Sequence, residues 1–111
     1  ARAVLLGFPS VEQGGACVAA IISAGIIPGG MEMMDRPAIH AAEDFVHADY
    51  PLDVEALLIV ELDGPQVEVD HLIERVSEIA RANKASTLRI STSEDERMLF
   101  WAGRKAACWG W

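Results

Sequence analysis

The fold is decided by the stretch ALLIVEL at residues Ala56–Leu62. Every residue of it except Glu61 is apolar, and a continuous apolar run of this length is typical of a central, buried strand. The turn sequence Asp63-Gly64-Pro65 follows, and apolar residues then recur at helical spacing from Val69 to Ala80. We therefore predict a central strand, a turn and then the most regular helix of the chain.

Strands and helices alternate on both sides of this stretch. Three further strands are predicted, at Ala3–Phe8, Gly30–Met34 and Thr87–Thr92. The first helix begins at Ser10, whose hydroxyl can accept a hydrogen bond from the first turn while Gln13 reaches back, and Gly25 ends it. This alternation indicates a domain that mixes helices and strands.

Two strand-helix-strand units build the predicted fold. Each of their helices has one apolar face, so both are expected to cover the same side of one sheet. The arrangement that fits is an α+β ferredoxin-like two-layer sandwich with a four-stranded, mainly antiparallel sheet. The helix at Arg36–His47 is then an insertion between the second and third strands. The helix at Glu94–Ala107, opened by a capping box of Ser93 and Glu96, is an addition after the fourth strand.

Length and composition limit the chain to a single domain, residues 1–111. With 111 residues, 51% of them hydrophobic, we expect one hydrophobic core. No apolar stretch approaches the roughly 20 residues that a membrane-spanning helix needs. The chain starts at Ala1 without Met and without the pattern of a secretory signal, which predicts a fragment of a larger protein.

Charge and cysteine content exclude several classes of function. The formal net charge is −8, with nine basic residues scattered among seventeen acidic ones. Nucleic acids and anionic membranes bind clustered Lys and Arg, so neither is expected as a partner. Cys17 lies in a predicted helix and Cys108 near the end of the chain, which does not indicate a disulfide framework. We expect both to be thiols of a cytoplasmic protein.

One group of side chains is similar to a metal site. His40, Asp44 and His47 lie at spacings of four and three on one face of the inserted helix, with Glu43 beside them. A structural metal site normally needs four ligands, and the sequence positions no further Cys or His to complete it. A solvated helix face is the better interpretation, and no metal is predicted.

Two acidic residues and two glycine pairs are the other candidates. Glu32 and Asp35 could form an acid and base pair, but Asp35 is better interpreted as the N-cap of the following helix. Glu32 is left without a role. The pair Gly14-Gly15 lies in a predicted helix, and Gly29-Gly30 lacks the spacing of a nucleotide-binding loop. No cofactor-binding residue is therefore predicted in this chain.

Four motifs carry a resemblance to a known family. They are Glu32-Met33-Met34-Asp35, the segment Phe45–Leu52, Glu61-Leu62-Asp63-Gly64 and Leu99-Phe100-Trp101-Ala102-Gly103-Arg104-Lys105. In this order and at this separation the chain, from Ala3 to Ala107, resembles the C-terminal, substrate-side cap domain of FAD-linked 2-hydroxyacid dehydrogenases. The resemblance is to the glycolate oxidase D-subunit and D-lactate dehydrogenase type.

The resemblance implies part of an oxidoreductase. Members of that family fold a flavin-binding domain beside this cap and oxidise a 2-hydroxy acid, here glycolate or D-lactate, by hydride transfer to FAD. It therefore implies FAD in the full-length protein and a flavin-binding domain of the same enzyme as partner. The family's catalytic metal ligands lie downstream, and His40 and His47 do not match them. We expect no catalytic residue in this chain and no activity from the chain alone.

Arg104 and Trp101 are the substrate-binding residues that the resemblance implies. Family members present the Arg of a Trp-x-x-Arg helix to the substrate carboxylate, and here that residue is Arg104. A guanidinium binds a carboxylate through two hydrogen bonds and stays charged at any working pH. The alternative is that Arg104 favours a helix C-terminus and points into water. Trp101, like Trp109 and Trp111, could instead pack the terminal helix onto its own domain or a neighbour.

A function of another class also fits the sequence. A stand-alone, noncatalytic ferredoxin-like module could dimerise through its sheet or bind a small ligand. The two hypotheses differ in whether Trp101 and Arg104 point together into a concavity that another domain would close.

Overall fold

The computed structural model describes the backbone of residues 1–109 and the side chains of residues 1–104. Its elements are β1 (Arg2–Phe8), α1 (Val11–Ser23), β2 (Gly30–Asp35), α2 (Arg36–Val46), β3 (Ala56–Leu62), α3 (Gln66–Ala82), β4 (Thr87–Ile90) and α4 (Glu94–Trp109). The four predicted strands and four predicted helices are confirmed. None of the helices described is both long and apolar enough to cross a membrane. The predictions made for the side chains of Cys108, Trp109 and Trp111 lie outside the described residues.

The four strands form one antiparallel sheet in the order β2-β3-β1-β4. β3 is an inner strand between β2 and β1. Its Ala56 lies opposite Phe8 of β1, and its Glu61 lies opposite Gly30 of β2. Its central position is the one that its apolar sequence predicts. The strand order and the alternation of strand and helix confirm the ferredoxin-like fold.

Helices α1 and α3 cover one face of the sheet. The strand residues buried on this face are Val4, Leu6, Phe8, Ala56, Leu58, Val60 and Leu62. Cys17 and Ile21 of α1 and Val76 of α3 pack against them and are fully buried. Burial raises the pKa of the Cys17 thiol to about 11. These two layers are the predicted sandwich.

Helices α2 and α4 cover the opposite face and form a second hydrophobic core. Its buried residues are Ala3, Leu5, Met34, Ile39, Ala42, Ala48, Tyr50, Val54, Leu57, Ile59 and Phe100. The expectation of one core is therefore wrong. β1 and β3 carry apolar residues at successive positions, so both faces of these strands need to be covered. The inserted helix and the terminal helix supply that cover and add a third layer to the two-layer unit.

The predicted helix caps are confirmed. In each cap a side-chain oxygen accepts a hydrogen bond from the amide three residues later: Ser10 from Gln13, Asp35 from Ala38 and Ser93 from Glu96, at 3.1 to 3.2 Å. Strand β4 ends at Ile90 instead of Thr92. The Thr92 amide donates to the Glu96 carboxylate at 2.7 Å, so Thr92 lies in the connection that leads into α4 and not in the sheet.

Candidate functional site

The position of α4 on the sheet is fixed by Tyr50, which lies in the segment between α2 and β3. Its hydroxyl donates to the Phe100 carbonyl at 2.5 Å and accepts from the Gly103 amide at 3.1 Å. Tyr50 thus inserts into the backbone hydrogen bonding of α4, and a Cβ at position 103 would overlap the hydroxyl. Burial raises the pKa of Tyr50 to about 12.

A second anchor holds the first half of α4. The guanidinium of Arg97 forms ion pairs with Glu61 of β3 and with Glu94 one turn earlier in its own helix. The hydrogen bonds that Arg97 donates to Glu94 and Glu61 raise the pKa of Arg97 above its ordinary value, and the bond that Glu94 accepts from Arg97 lowers the pKa of Glu94. Since Glu61 lies on the strand, this pair joins the helix to the sheet.

With α4 held at both points, Trp101 lies over Gly30 at the start of β2. Two atoms of the indole six-membered ring lie 3.5 Å from where a Cβ of Gly30 would be, so a side chain at position 30 would meet the ring. The indole Nε1 is buried and has no hydrogen-bond partner among the described residues. Part of the ring packs against the second core.

Arg104 extends from α4 one turn beyond Trp101. Its Cζ lies 6.0 Å from the centroid of the Trp101 ring, at the outer limit of a cation-π contact. Its Nε lies 3.6 Å from Oε2 of Glu32, and the two side chains are 58% and 34% exposed. We call Gly30, Glu32, Trp101 and Arg104 the α4/β2 site. It combines a half-exposed guanidinium, a carboxylate and an aromatic ring.

The structure brings together the two predicted binding residues and adds two that the sequence left out. Trp101 and Arg104 are neighbours on one face of α4, as their spacing of three residues predicts. Glu32, which had no role in the sequence, faces Arg104, and Gly30 supports Trp101. The alternation of side chains along a strand puts residues 30 and 32 on one face, but the sequence did not show that α4 lies over that face.

The residues of the metal-like group take part in local hydrogen bonds. The Nε2 of His40 lies 3.0 Å from the Leu52 carbonyl, and Glu43 accepts from the Tyr50 amide at 3.0 Å. His47 is the C-cap of α2 in a left-handed conformation. In the part of the chain that the structure describes, no three His, Cys, Asp or Glu side chains lie close enough together to hold a metal ion.

Neither glycine pair has the geometry of a flavin phosphate site. Gly14 packs against Ala56 and Met33 inside α1, so its backbone does not face an open loop. A side chain on Gly29 would overlap the Asp63 carboxylate, and Gly30 is covered by Trp101. An acidic side chain against Gly29 disfavours a pyrophosphate there. Neither pair therefore offers an open loop to the phosphates of FAD.

A comparison with known protein families identifies the family of this three-layer domain. The model of the family described as FAD linked oxidases, C-terminal domain, matches residues 1–111. The chain belongs to this family. The resemblance found in the sequence motifs is thereby confirmed, and the family description confirms FAD as the cofactor of its full-length members.

Several curated proteins are similar to the chain. It is 52% identical over 107 residues to the glycolate oxidase subunit GlcD of Escherichia coli strain K12, covering 96% of this chain and 21% of that protein. The glycolate oxidase subunit GlcD of Bacillus subtilis is 26% identical, with 96% of this chain and 23% of that protein covered. The mitochondrial D-lactate dehydrogenase [cytochrome] 1 of Saccharomyces cerevisiae is 23% identical, with 95% of this chain and 18% of that protein covered. The chain thus spans about a fifth of the length of these relatives.

Solved structures share the fold at low sequence identity. Two crystal forms of alkyldihydroxyacetonephosphate synthase are each 18% identical to the chain, with TM-scores of 0.66 and 0.63. The matches cover 97% and 96% of this chain and 23% and 21% of those chains. They support the three-layer architecture as a fold found within larger proteins.

Proposed function

We propose that this chain is the substrate-side cap domain of a larger FAD-dependent oxidoreductase that acts on a 2-hydroxy acid, glycolate or D-lactate. Its family and its 52% identity to a glycolate oxidase subunit support the proposal. The flavin-binding domain of the same protein is the partner that would supply FAD. We assign no catalytic residue to this chain and expect it to be inactive alone. Location in the cytoplasm stays a prediction.

One observation carries the proposed substrate contact: the guanidinium of Arg104 is held against an aromatic ring while more than half of the side chain stays exposed. Its pair with Glu32 at 3.6 Å is longer than a hydrogen bond, so the N–H donors stay available to another acceptor. A planar guanidinium matches a carboxylate with two parallel hydrogen bonds. Arg104 can therefore hold the carboxylate of a 2-hydroxy acid, with Trp101 bounding the same position.

The test is made on the full-length flavoprotein that carries this chain, with glycolate and D-lactate as substrates. In Arg104→Ala, kcat/KM is expected to fall about tenfold to a hundredfold, because a charged hydrogen-bonding group is lost. Arg104→Lys keeps the charge but lacks the planar guanidinium, so its kcat/KM should lie between those of the wild type and Arg104→Ala. Arg36→Ala is the matched control, since Arg36 on α2 is also about half exposed and pairs with Glu55, a residue just before β3.

Unchanged kinetics of Arg104→Ala would remove Arg104 from the substrate site. A noncatalytic module is the alternative, and it requires that the chain dimerise or bind a small ligand without a flavin domain. Sedimentation of the 111-residue chain over a range of concentrations tests the homodimer.

A further inference from the structure

We propose that Glu32 is the positioning residue of Arg104: its carboxylate holds the Nε edge of the guanidinium, so that the two terminal amino groups face the substrate carboxylate. This inference rests on the proposed function, because it requires that Arg104 bind that carboxylate.

The place of Glu32 in the sheet is the first argument. Glu32 lies on the face of β2 that α2 and α4 cover, with Met34 buried two residues later on the same face. Its register partner on β3 is Ile59, which is fully buried. The Glu32 side chain is 34% exposed, so this position holds a carboxylate at the rim of the second core, within reach of α4 and still in contact with water.

The partner in the described part of the chain is Arg104. The distance of 3.6 Å joins Oε2 of Glu32 to Nε, the N–H nearest the aliphatic stem, and not to the outer end of the guanidinium. At this distance the pair is held by charge attraction, and the N–H donors of the two terminal amino groups are left available. The outer edge, with two parallel N–H directions, is the edge that a ligand carboxylate can bind.

Trp101 restrains the same guanidinium from a second direction. Its ring contacts the guanidinium, and the ring is itself supported by Gly30, two residues before Glu32 on the same face of β2. One strand thus supplies both restraints on Arg104. A long side chain loses rotamer freedom when a ligand fixes it, and restraints that already exist in the free protein reduce this loss. The expected result is tighter binding of the substrate carboxylate.

The experiment is a double-mutant cycle in the full-length flavoprotein with Glu32→Ala, Arg104→Ala and the double variant. The measurements are KM and kcat for glycolate and D-lactate, and the dissociation constant of oxalate by calorimetry. Oxalate presents a carboxylate and has no hydrogen on carbon to transfer. Glu55→Ala is the control, since it removes a carboxylate of the same charge from Arg36. Flavin absorbance and thermal unfolding check the fold, and the near-isosteric Glu32→Gln replaces Glu32→Ala should that variant unfold.

In the wild-type background, Glu32→Ala is expected to raise KM and the oxalate dissociation constant about fivefold, the size of a partly exposed ion pair. In the Arg104→Ala background it should change neither, because Glu32 acts through Arg104. Glu55→Ala should leave both constants as they are.

Three results would overturn the assignment while Arg104→Ala still impairs binding. The first is a Glu32→Ala variant with unchanged KM and oxalate dissociation constant. The second is an equal loss of binding from Glu32→Ala with and without Arg104. The third is a fall in KM, which would mean that Glu32 only repels the anion. Unchanged binding in Arg104→Ala would instead remove the proposed contact between Arg104 and the substrate carboxylate, and the role of Glu32 with it.

Discussion

Gly103 occupies the position in α4 where the Tyr50 hydroxyl enters the helix backbone. Glycine inside a helix is normally destabilising relative to alanine, because it loses more backbone freedom on folding. Here the hydroxyl takes the space that a Cβ would need, since it accepts from the Gly103 amide at 3.1 Å. A residue that looks unfavourable in the sequence is therefore required by a contact from a distant segment.

Replacing Gly103 by Ala is expected to destabilise the chain by about 1 to 3 kcal/mol, because the new methyl group overlaps Tyr50. Gly15→Ala is the matched control, since Gly15 is an exposed helical glycine with nothing within 4 Å of its Cβ position. That variant should stabilise the chain by about 0.5 to 1 kcal/mol. The free energies of unfolding in urea, followed by circular dichroism, measure both. If both substitutions changed the free energy of unfolding by the same amount and in the same direction, the proposed overlap with Tyr50 would be contradicted.

At the scale of the element, α4 is held on the sheet by anchors outside its own sequence. Tyr50 binds the middle of the helix, and Arg97 joins its first half to Glu61 of β3. The site residues Trp101 and Arg104 lie within one turn of the Tyr50 contact. The stability of α4 on the sheet and the placement of the site therefore depend on the same hydrogen bonds.

This anchor predicts a loss of stability at alkaline pH. Burial raises the pKa of Tyr50 from 10.0 to about 12, so the unfolded chain releases the proton at lower pH than the folded chain does. The contribution of Tyr50 is complete below pH 10 and is lost as the pH rises through about 12. The free energy of unfolding should fall in this window in the wild type more steeply than in Tyr50→Phe.

Tyr50 is the single tyrosine of the chain, so ultraviolet absorbance of the tyrosinate follows its titration directly. The chain unfolded in denaturant is the control and should titrate near the ordinary pKa of about 10. A folded chain that titrates at the same pH as the unfolded chain would show that the hydroxyl is not buried against α4.

At the scale of the whole molecule, the chain is a three-layer domain with a net charge of −8. An acidic surface does not attract an anionic substrate, so recognition of a carboxylate has to come from local groups such as Arg104. Gly29 is covered by Asp63 and Gly30 by Trp101, and the pair Gly14-Gly15 lies within the helix α1 and not in a loop.

The 111-residue chain is therefore expected to retain no FAD after gel filtration of a mixture with excess cofactor. The full-length flavoprotein is the control and should retain it. Visible absorbance of the protein peak measures the bound flavin, and circular dichroism of the same fraction checks that the chain is folded. Stoichiometric flavin in the chain alone would show that this chain forms a flavin site by itself.

Local signals gave correct predictions of the elements. Ser10, Asp35 and Ser93 start helices through hydrogen bonds that span three residues, and such contacts are legible in a sequence. The run of ALLIVEL identified the central strand. The same run also implies that both faces of β3 are covered, which requires a hydrophobic core on each side of the sheet. The expectation of a single core overlooked this.

Three features could be predicted from the sequence: the order of the elements, the ferredoxin-like strand arrangement and the presence of Trp101 and Arg104 on one helix. These follow from apolar periodicity and from contacts within one helical turn. Three others became visible only in the folded chain: α2 and α4 pack on the open face of the sheet, Tyr50 binds Gly103 across 53 residues, and Glu32 faces Arg104. These contacts join residues that are far apart along the chain. The sequence does not show which distant residues become neighbours, because that depends on how the elements pack on the sheet.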